Sequence, residues 1–182
     1  CSKGSCFPVY AKSVSFSMAI SFIFAFPKMK KNFSMAFLEK KVAVKKSILP
    51  GAGKGLFAKE MIPKGTRIVE YKGEITTWKE VDHNEGSNGY IYYVKRNHVI
   101  DASRTTDALA RYANDARGLA RVKGITNNAE YTEEGLKVYI ESTKDIPAGT
   151  EILVDYGKEY WDVIRYNRKL ESQRKRTSSP QD

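Results

Sequence analysis

Cysteine and histidine are scarce in this sequence, and each scarcity removes a class of chemistry. With only Cys1 and Cys6, a disulfide framework and a cysteine-rich zinc cluster are both excluded. His83 and His98 are the only histidines, so a three-histidine metal centre is excluded as well and no metal site is expected. Ser-His-Asp chemistry gains little support. Long apolar runs are missing too. The stretch Phe16 to Phe26 has 11 residues without charge, short of the roughly 17–25 that a membrane-spanning helix needs. Its length fits a signal-peptide hydrophobic region, but FPKMKKNF after it offers no small-residue cleavage site. Residues 1–41 therefore read as a leader or N-terminal extension with a basic segment. Met29 and Met35 are sensible alternative starts, and targeting or a helix packed on the body are the other readings. No stable membrane partner is expected, and the protein is placed in the cytoplasm or nucleus.

What is present suffices for one ordinary core: 182 residues, 41% of them hydrophobic and 29% charged. The formal net charge of +10 is unevenly spread. Residues 28–46 hold seven lysines and one acid, and residues 165–176 hold six basic residues and Glu171. The body between them, residues 47–164, has 16 basic and 18 acidic side chains. Basic flanks around a near-neutral body suit contact with a polyanion such as nucleic acid, and they equally suit two solvated tails.

Strand patterns dominate the body. Lys41 to Ser47 alternates apolar and basic residues as a half-buried strand does. Leu56–Ala58, Arg67–Tyr71, Tyr90–Lys95, Val99–Asp101, Leu136–Glu141 and Glu151–Val154 read as further strands. Glycine and proline fall between these segments, which favours a mainly β fold of short strands. Only Tyr160 to Lys175 reads as helix, with Trp161, Ile164 and Leu170 on its apolar side. One echo stands out: KEMIPKGTRIVEY and KDIPAGTEILVDY share Ile-Pro-x-Gly-Thr-x-Ile, with Pro63 and Pro147 84 residues apart. That spacing is too wide for a solenoid and implies two similar turn–strand units in one sheet system.

GAGKGLF, residues 51–57, is by itself a weak motif. No substantial helix follows it, as a dinucleotide site requires, and no Gly-Lys-Ser/Thr ends it, as a phosphate loop requires. A tight turn and a carboxylate-accepting nest of backbone amides both remain open. Taken with GYIYYVKRNHVIDAS, ARYAND and EILVDYGKEYW, however, it resembles the SET-domain family of S-adenosylmethionine-dependent protein-lysine methyltransferases. The resemblance covers about Ala43 to Trp161. It implies a SET fold of several small sheets with a pseudoknot-like C-terminal region, a catalytic domain at 42–161, and a basic helix and tail at 162–182. It implies S-adenosylmethionine as cofactor and a protein or peptide lysine, in a histone for example, as substrate.

By resemblance Tyr156 takes the principal catalytic position and Tyr90 the active-site tyrosine position. Lys54, Gly55, Leu56, Arg111, Asn114 and Trp161 become cofactor-binding candidates. Alternation along the strand adds Tyr92 to the wall of Tyr90, and Val154, two residues before Tyr156, stands where the family's methylation multiplicity is influenced. Each has a plain alternative: strand packing for Tyr90 and Tyr156, an exposed salt bridge for Arg111, a helix anchor for Trp161. The chain also departs from the family. Asp115 stands where histidine is usual, either stabilising a cation or capping the following turn. Thirteen residues separate Asn114 from Asn128, more than in the compact form, so RGLARVKGIT should be a longer loop. Neither cysteine-rich flanking module is in this sequence, which makes Tyr160–Lys175 the candidate substitute for the C-terminal one. The competing reading is a non-catalytic SET-like protein or nucleic-acid-binding module, supported by the basic flanks.

Overall fold

The computed structural model describes residues 38–83, 88–118 and 121–177. The expectations for residues 1–37 and for the SSPQD tail lie outside the described residues. Eight strands and one α-helix occur among the described residues. β1 (Val42–Lys46) pairs with β2 (Lys54–Ala58). β3 (Arg67–Glu70), β7 (Ala129–Glu134) and β8 (Lys137–Ser142) form a second sheet in the order β3-β8-β7. β4 (Glu74–Thr76), β5 (Ile91–Lys95) and β6 (His98–Asp101) form a third in the order β4-β6-β5. Every strand pair is antiparallel. Short 3-10 helices span Leu38–Lys41 and Leu109–Tyr112, and α1 spans Lys158–Thr177. The expected mainly β architecture of small sheets is observed, and α1 runs unbroken across residue 161.

Burial explains the local choices. In β2 the four residues after Lys54 are all buried, so both faces of the strand are covered, and both of its edges are paired as well. β1 lies on one side. On the other, Ala58 N donates to Thr150 O at 3.0 Å and Ile152 N to Leu56 O at 2.7 Å. β7 alternates instead, with Ala129 and Tyr131 inward and Glu130 outward, as one-sided sheets do. Neither β7 nor the three-residue β4 was legible from sequence pattern. The core gathers Leu56, Ile62, Ile68, Tyr71, Tyr92, Tyr131, Ile140, Ile146, Ile152 and Val154.

The two Ile-Pro-x-Gly-Thr units face each other. Ile62 N donates to Ile146 O at 2.9 Å and Ile146 N to Ile62 O at 2.8 Å. Gly65 and Gly149 occupy the same place in each turn with φ of 74° and 80°, a left-handed conformation glycine adopts without steric cost. The units then diverge. The first feeds β3. The second, residues 151–154, was expected to be a strand and makes only isolated bridges: antiparallel to Phe57, parallel to Asn114 and Ala129. A regular ladder cannot form where three separate segments share one short stretch.

That stretch is held largely by one side chain. Asn128, 6% exposed, donates from Nδ2 to Glu151 O at 2.8 Å and accepts Leu153 N on Oδ1 at 2.9 Å. Its amide thus imitates a neighbouring strand. Val154 N completes the insertion by donating to Asn114 O at 2.8 Å. Asn128→Ala leaves a buried amide and a buried carbonyl without those partners, so unfolding in urea should show a loss of about 2–4 kcal/mol, at roughly 1–3 kcal/mol for each stranded group. A change under about 0.5 kcal/mol would mean that water replaces the side chain.

Candidate active site

The inserted stretch leads directly into a cavity of about 730 Å³. Its walls come from the Leu49–Lys54 loop, Gly89 and Tyr90, residues of the stretch from Arg111 to Gly118, Tyr156, and Tyr160, Trp161 and Arg168 of α1. Four distant segments therefore meet here, the last running from Tyr156 into α1. The first wall is shaped by Gly51 and Gly53, whose φ values of 75° and 70° turn the chain between β1 and β2. Ser47 N donating to Gly53 O at 2.8 Å closes that loop.

Glu151 ties the loop to the inserted stretch. It is 1% exposed, and its charge is met wholly by neutral donors. Oε1 accepts Ser47 Oγ at 2.8 Å and Asn114 Nδ2 at 3.0 Å, and Oε2 accepts Ile48 N at 2.8 Å. Asn114 Nδ2 also donates to Lys54 O at 3.0 Å. Both amide hydrogens of Asn114 are thus spent on the scaffold, leaving its Oδ1 as the acceptor. Gly55 is required beneath this carboxylate: a Cβ there would lie 2.2 Å from Glu151 Oε1.

The opposite wall is aromatic. Tyr156 and Trp161 stack with centroids 5.8 Å apart and planes 8° apart. Tyr160 meets both edge-on at 5.0 Å. The Tyr156 hydroxyl donates to Ala113 O at 2.5 Å. Beneath the stack lies Asp115, 4% exposed. Its Oδ1 accepts Arg117 N at 2.7 Å and Asn127 Nδ2 at 2.8 Å, and its Oδ2 accepts Tyr156 N at 2.8 Å and Trp161 Nε1 at 2.7 Å. Both carboxylate oxygens are committed to protein donors, one of them to the turn just after Asp115 and the segment that closes it.

Tyr90 is 40% exposed, and its ring carries the Arg111 guanidinium 4.1 Å above its centroid. Arg111 Nη2 donates to Ser103 O at 3.1 Å, while Arg111 Nε is buried with no hydrogen-bond partner. Lys54 Nζ lies 5.8 Å from the Tyr112 ring centroid. Among the described residues, no group of three or more His, Cys, Asp or Glu side chains is placed to hold a metal ion, and no helix is long and apolar enough to cross a membrane.

A SET-domain family model matches residues 53–157. This chain belongs to the SET-domain methyltransferase family. The N-lysine methyltransferase KMT5A of Xenopus tropicalis is 31% identical over 130 residues, which cover 65% of this chain and 37% of that protein. Histone-lysine N-methyltransferase 2D of Homo sapiens is 31% identical over 116 residues, 60% of this chain and 2% of that protein. Among solved structures, a humanized mutant of the Chaetomium thermophilum Polycomb Repressive Complex 2 bound to the inhibitor GSK126 superposes with a TM-score of 0.52 at 28% identity. That match covers 68% of this chain and 16% of the other. The curated relatives are thus much longer than the region they share with this SET domain.

Of the residues singled out from the sequence of this SET domain, Lys54, Tyr90, Arg111, Asn114, Tyr156 and Trp161 line the cavity. Gly55 and Leu56 lie buried behind its wall. Tyr92 and Val154, expected on a substrate channel, are fully buried in the core instead. Tyr92 packs on Tyr71 and Tyr131 and donates its hydroxyl to Glu133 Oε1 at 3.1 Å. Strand alternation does not apply to this pair, because Tyr90 sits in the turn before β5, which begins at Ile91. The two tyrosines therefore do not share a strand face. Glu151, Tyr112, Tyr160 and Arg168 were missed. Only Glu151 carried a signal, as an acid heading an apolar run.

Burial sets the electrostatics of the aromatic wall. It pushes the Tyr156 phenol well above its ordinary value, with Tyr160, Tyr71 and Asp115 adding to the effect. Tyr160 is pushed from 10 up to about 12, by burial first and then by Asp115 and Tyr90. These phenols stay neutral through the physiological range and act as hydrogen-bonding groups only. In the unfolded chain they ionise near the ordinary pKa of about 10. Their contribution to stability is therefore complete below about pH 10 and is lost as pH rises through the folded values. Thermal unfolding followed from about pH 7 to 12, with phenolate absorbance read in parallel, should show the midpoint falling only above about pH 10. Phenolate appearing near pH 10 from these residues in the folded protein would contradict the desolvation assigned to them.

Proposed function

We propose that this chain is an S-adenosylmethionine-dependent protein-lysine N-methyltransferase whose cofactor occupies the cavity beside Tyr156. The observation that carries the reading is the convergence on one cavity of the loop carrying Gly51 and Gly53, the Asn114 amide, and the stacked Tyr156–Trp161 pair. Its volume of about 730 Å³ lies within the roughly 300–1,000 Å³ of small-molecule sites. The residues fit the group. A flat indole face suits a purine. The Gly51–Gly53 turn lets a ligand approach the backbone, and the unpartnered Arg111 Nε–H is a spare donor beside the cavity. Lys54, Arg111, Asn114 and Trp161 would hold the cofactor directly, with Gly55 and Leu56 acting from behind the wall.

S-adenosylmethionine, when bound, supplies an electrophilic sulfonium methyl group. The chain's own task is then to deliver a lysine nitrogen with a free lone pair. A free lysine titrates near about 10.4, and desolvation in a narrow apolar site favours the neutral amine. No histidine or cysteine lines the cavity among the described residues, the Tyr156 and Tyr160 phenols stay protonated, and both Asp115 oxygens are occupied by protein donors, so the proton leaves to solvent rather than to a protein base. Tyr156 has a specific role here. Its hydroxyl hydrogen is committed to Ala113 O, so toward the incoming amine its oxygen acts as an acceptor, taking an N–H and aiming the lone pair. Tyr90, half-exposed and stiffened by Arg111, would form the wall at the mouth.

The names of the KMT5A and 2D relatives support lysine as the acceptor, and that of 2D supports a histone as the substrate class. Contact with nucleic acid is favoured by exposed Arg165, Arg168 and Lys169 on α1, with Arg168 also at the cavity. Such contact would make activity on nucleosomes more salt-sensitive than activity on a free histone peptide. Equal salt dependence on the two substrates would leave the flanks as solvated tails.

Tyr156→Phe separates an enzyme from a binding module. It keeps the ring and its stack, so S-adenosylmethionine affinity by calorimetry should change by less than about threefold, under roughly 0.7 kcal/mol. Turnover should fall by at least about tenfold, equivalent to roughly 1.4 kcal/mol. Lysine methylation mapped by mass spectrometry in the native protein and lost in the variant is the expected result. Normal turnover in the variant, with authentic lysine methylation, would remove Tyr156 from the chemistry. No methylation by either protein on mixed histones and peptides would favour the non-catalytic module.

A further inference from the structure

The position where the family usually carries histidine is filled by the most heavily hydrogen-bonded side chain of the site. We infer that Asp115 is the positioning residue of the cofactor cavity, a latch whose single carboxylate sets both members of the Tyr156–Trp161 stack. The inference rests on the proposed cofactor site and extends it to a residue that touches neither reacting atom.

A carboxylate has two oxygens and about four acceptor sites, and Asp115 fills them with four donors at 2.7–2.8 Å. A buried charge is tolerable only when it is satisfied in this way. The donors are divided by function. Oδ1 takes the two from the loop, Arg117 N and Asn127 Nδ2. Oδ2 takes the two from the C-terminal segment, Tyr156 N and Trp161 Nε1. One oxygen thus fixes the main chain of the tyrosine and the ring of the tryptophan together, and the resulting planes differ by 8°.

The loop is shaped to receive that indole. A Cβ on Gly118 would lie 3.1 Å from Trp161 Cη2 and 3.2 Å from Asp115 O, so glycine leaves the room the ring needs. Neither expectation for Asp115 is sufficient. It caps the following turn through Arg117 N, but among the described residues it pairs with no cation: Arg117 Nη1 goes to Asp155 instead, at 2.7 Å. Histidine could not do this work. A neutral imidazole offers one acceptor nitrogen, enough for one of the four donors. Asparagine keeps one oxygen and turns an NH₂ toward two donors that need an acceptor. The aspartate is therefore a different solution from the family's usual histidine, and it anchors the start of α1 to the cavity.

The test uses the full chain with Asp115→Asn, Asp115→His and Trp161→Phe, alone and combined. In the native protein the Trp161 indole N–H, assigned by its loss in Trp161→Phe, should exchange with solvent at least about a hundredfold more slowly than free tryptophan. Asp115→Asn and Asp115→His should each weaken S-adenosylmethionine binding by at least about tenfold, as expected for losing charge-assisted hydrogen bonds. Restoring the family's residue should thus harm the site. In the Trp161→Phe background the same Asp115 changes should cost at least about threefold less than in the native background, because one of the two groups they orient is gone while Tyr156 N remains. Equal fold-changes in both backgrounds would overturn the latch and leave Asp115 a purely structural residue. If the Asp115 variants do not fold, the native indole decides: exchange as fast as free tryptophan overturns the inference, and protection supports it. Failure of the native protein to bind S-adenosylmethionine would instead remove the proposed cofactor site, while the indole measurement would still judge the latch.

Discussion

Residues Glu151 to Tyr156 have no ladder of their own, so their main-chain groups find partners in several different parts of the chain. Ile152 N goes to Leu56, Leu153 N to the Asn128 side chain, Val154 N to Asn114 O and Tyr156 N to Asp115. Because residues 151–154 are buried throughout, their main-chain groups depend on protein partners rather than on bulk solvent. The result is a short segment held by three others. The same residues end at Tyr156, so the stretch that ties these segments together also carries one wall of the cavity.

Two buried carboxylates brace that stretch, Glu151 at its start and Asp115 against its end, and among the described residues neither is paired with a cation. Glu151 and Asp115 are satisfied by amides, a hydroxyl and an indole. Ion pairs such as Lys41–Glu60 and Lys72–Glu39 lie elsewhere, at exposed positions, where each contributes little. Directional neutral donors specify geometry more tightly than a mobile cation would. This suits a site whose work is alignment: the Glu151 network sets the glycine loop against Asn114, and the Asp115 network sets the aromatic pair across from it.

The paired Ile-Pro-x-Gly-Thr units show how local pattern and tertiary context divide the outcome. The turns are alike in sequence and in structure, with glycine left-handed in both. The segments leaving the two turns differ. Arg67–Glu70 finds one continuous partner in β8 and becomes a strand; residues 151–154 find three partners and do not. The motif specified the turn and could not specify what lay beside it.

Much of the architecture was legible because it depends on neighbours in sequence. Alternation marked β1, strand-like segments marked β5 and β8, Gly-Pro punctuation marked the turns, and the apolar positions Trp161, Ile164 and Leu170 marked α1. The motif segments also identified most of the cavity residues. What sequence could not supply was any quantity that depends on distant contacts. Tyr90 and Tyr92 look equivalent at a spacing of two, yet one precedes its strand at the cavity and the other is sealed against Tyr71 and Tyr131. Glu151 and Asp115 look like ordinary acids in a charged chain. They become the supports of the site only when folding removes water from them and brings donors from up to 104 residues away, because a buried carboxylate must be satisfied by whatever the tertiary structure sets around it.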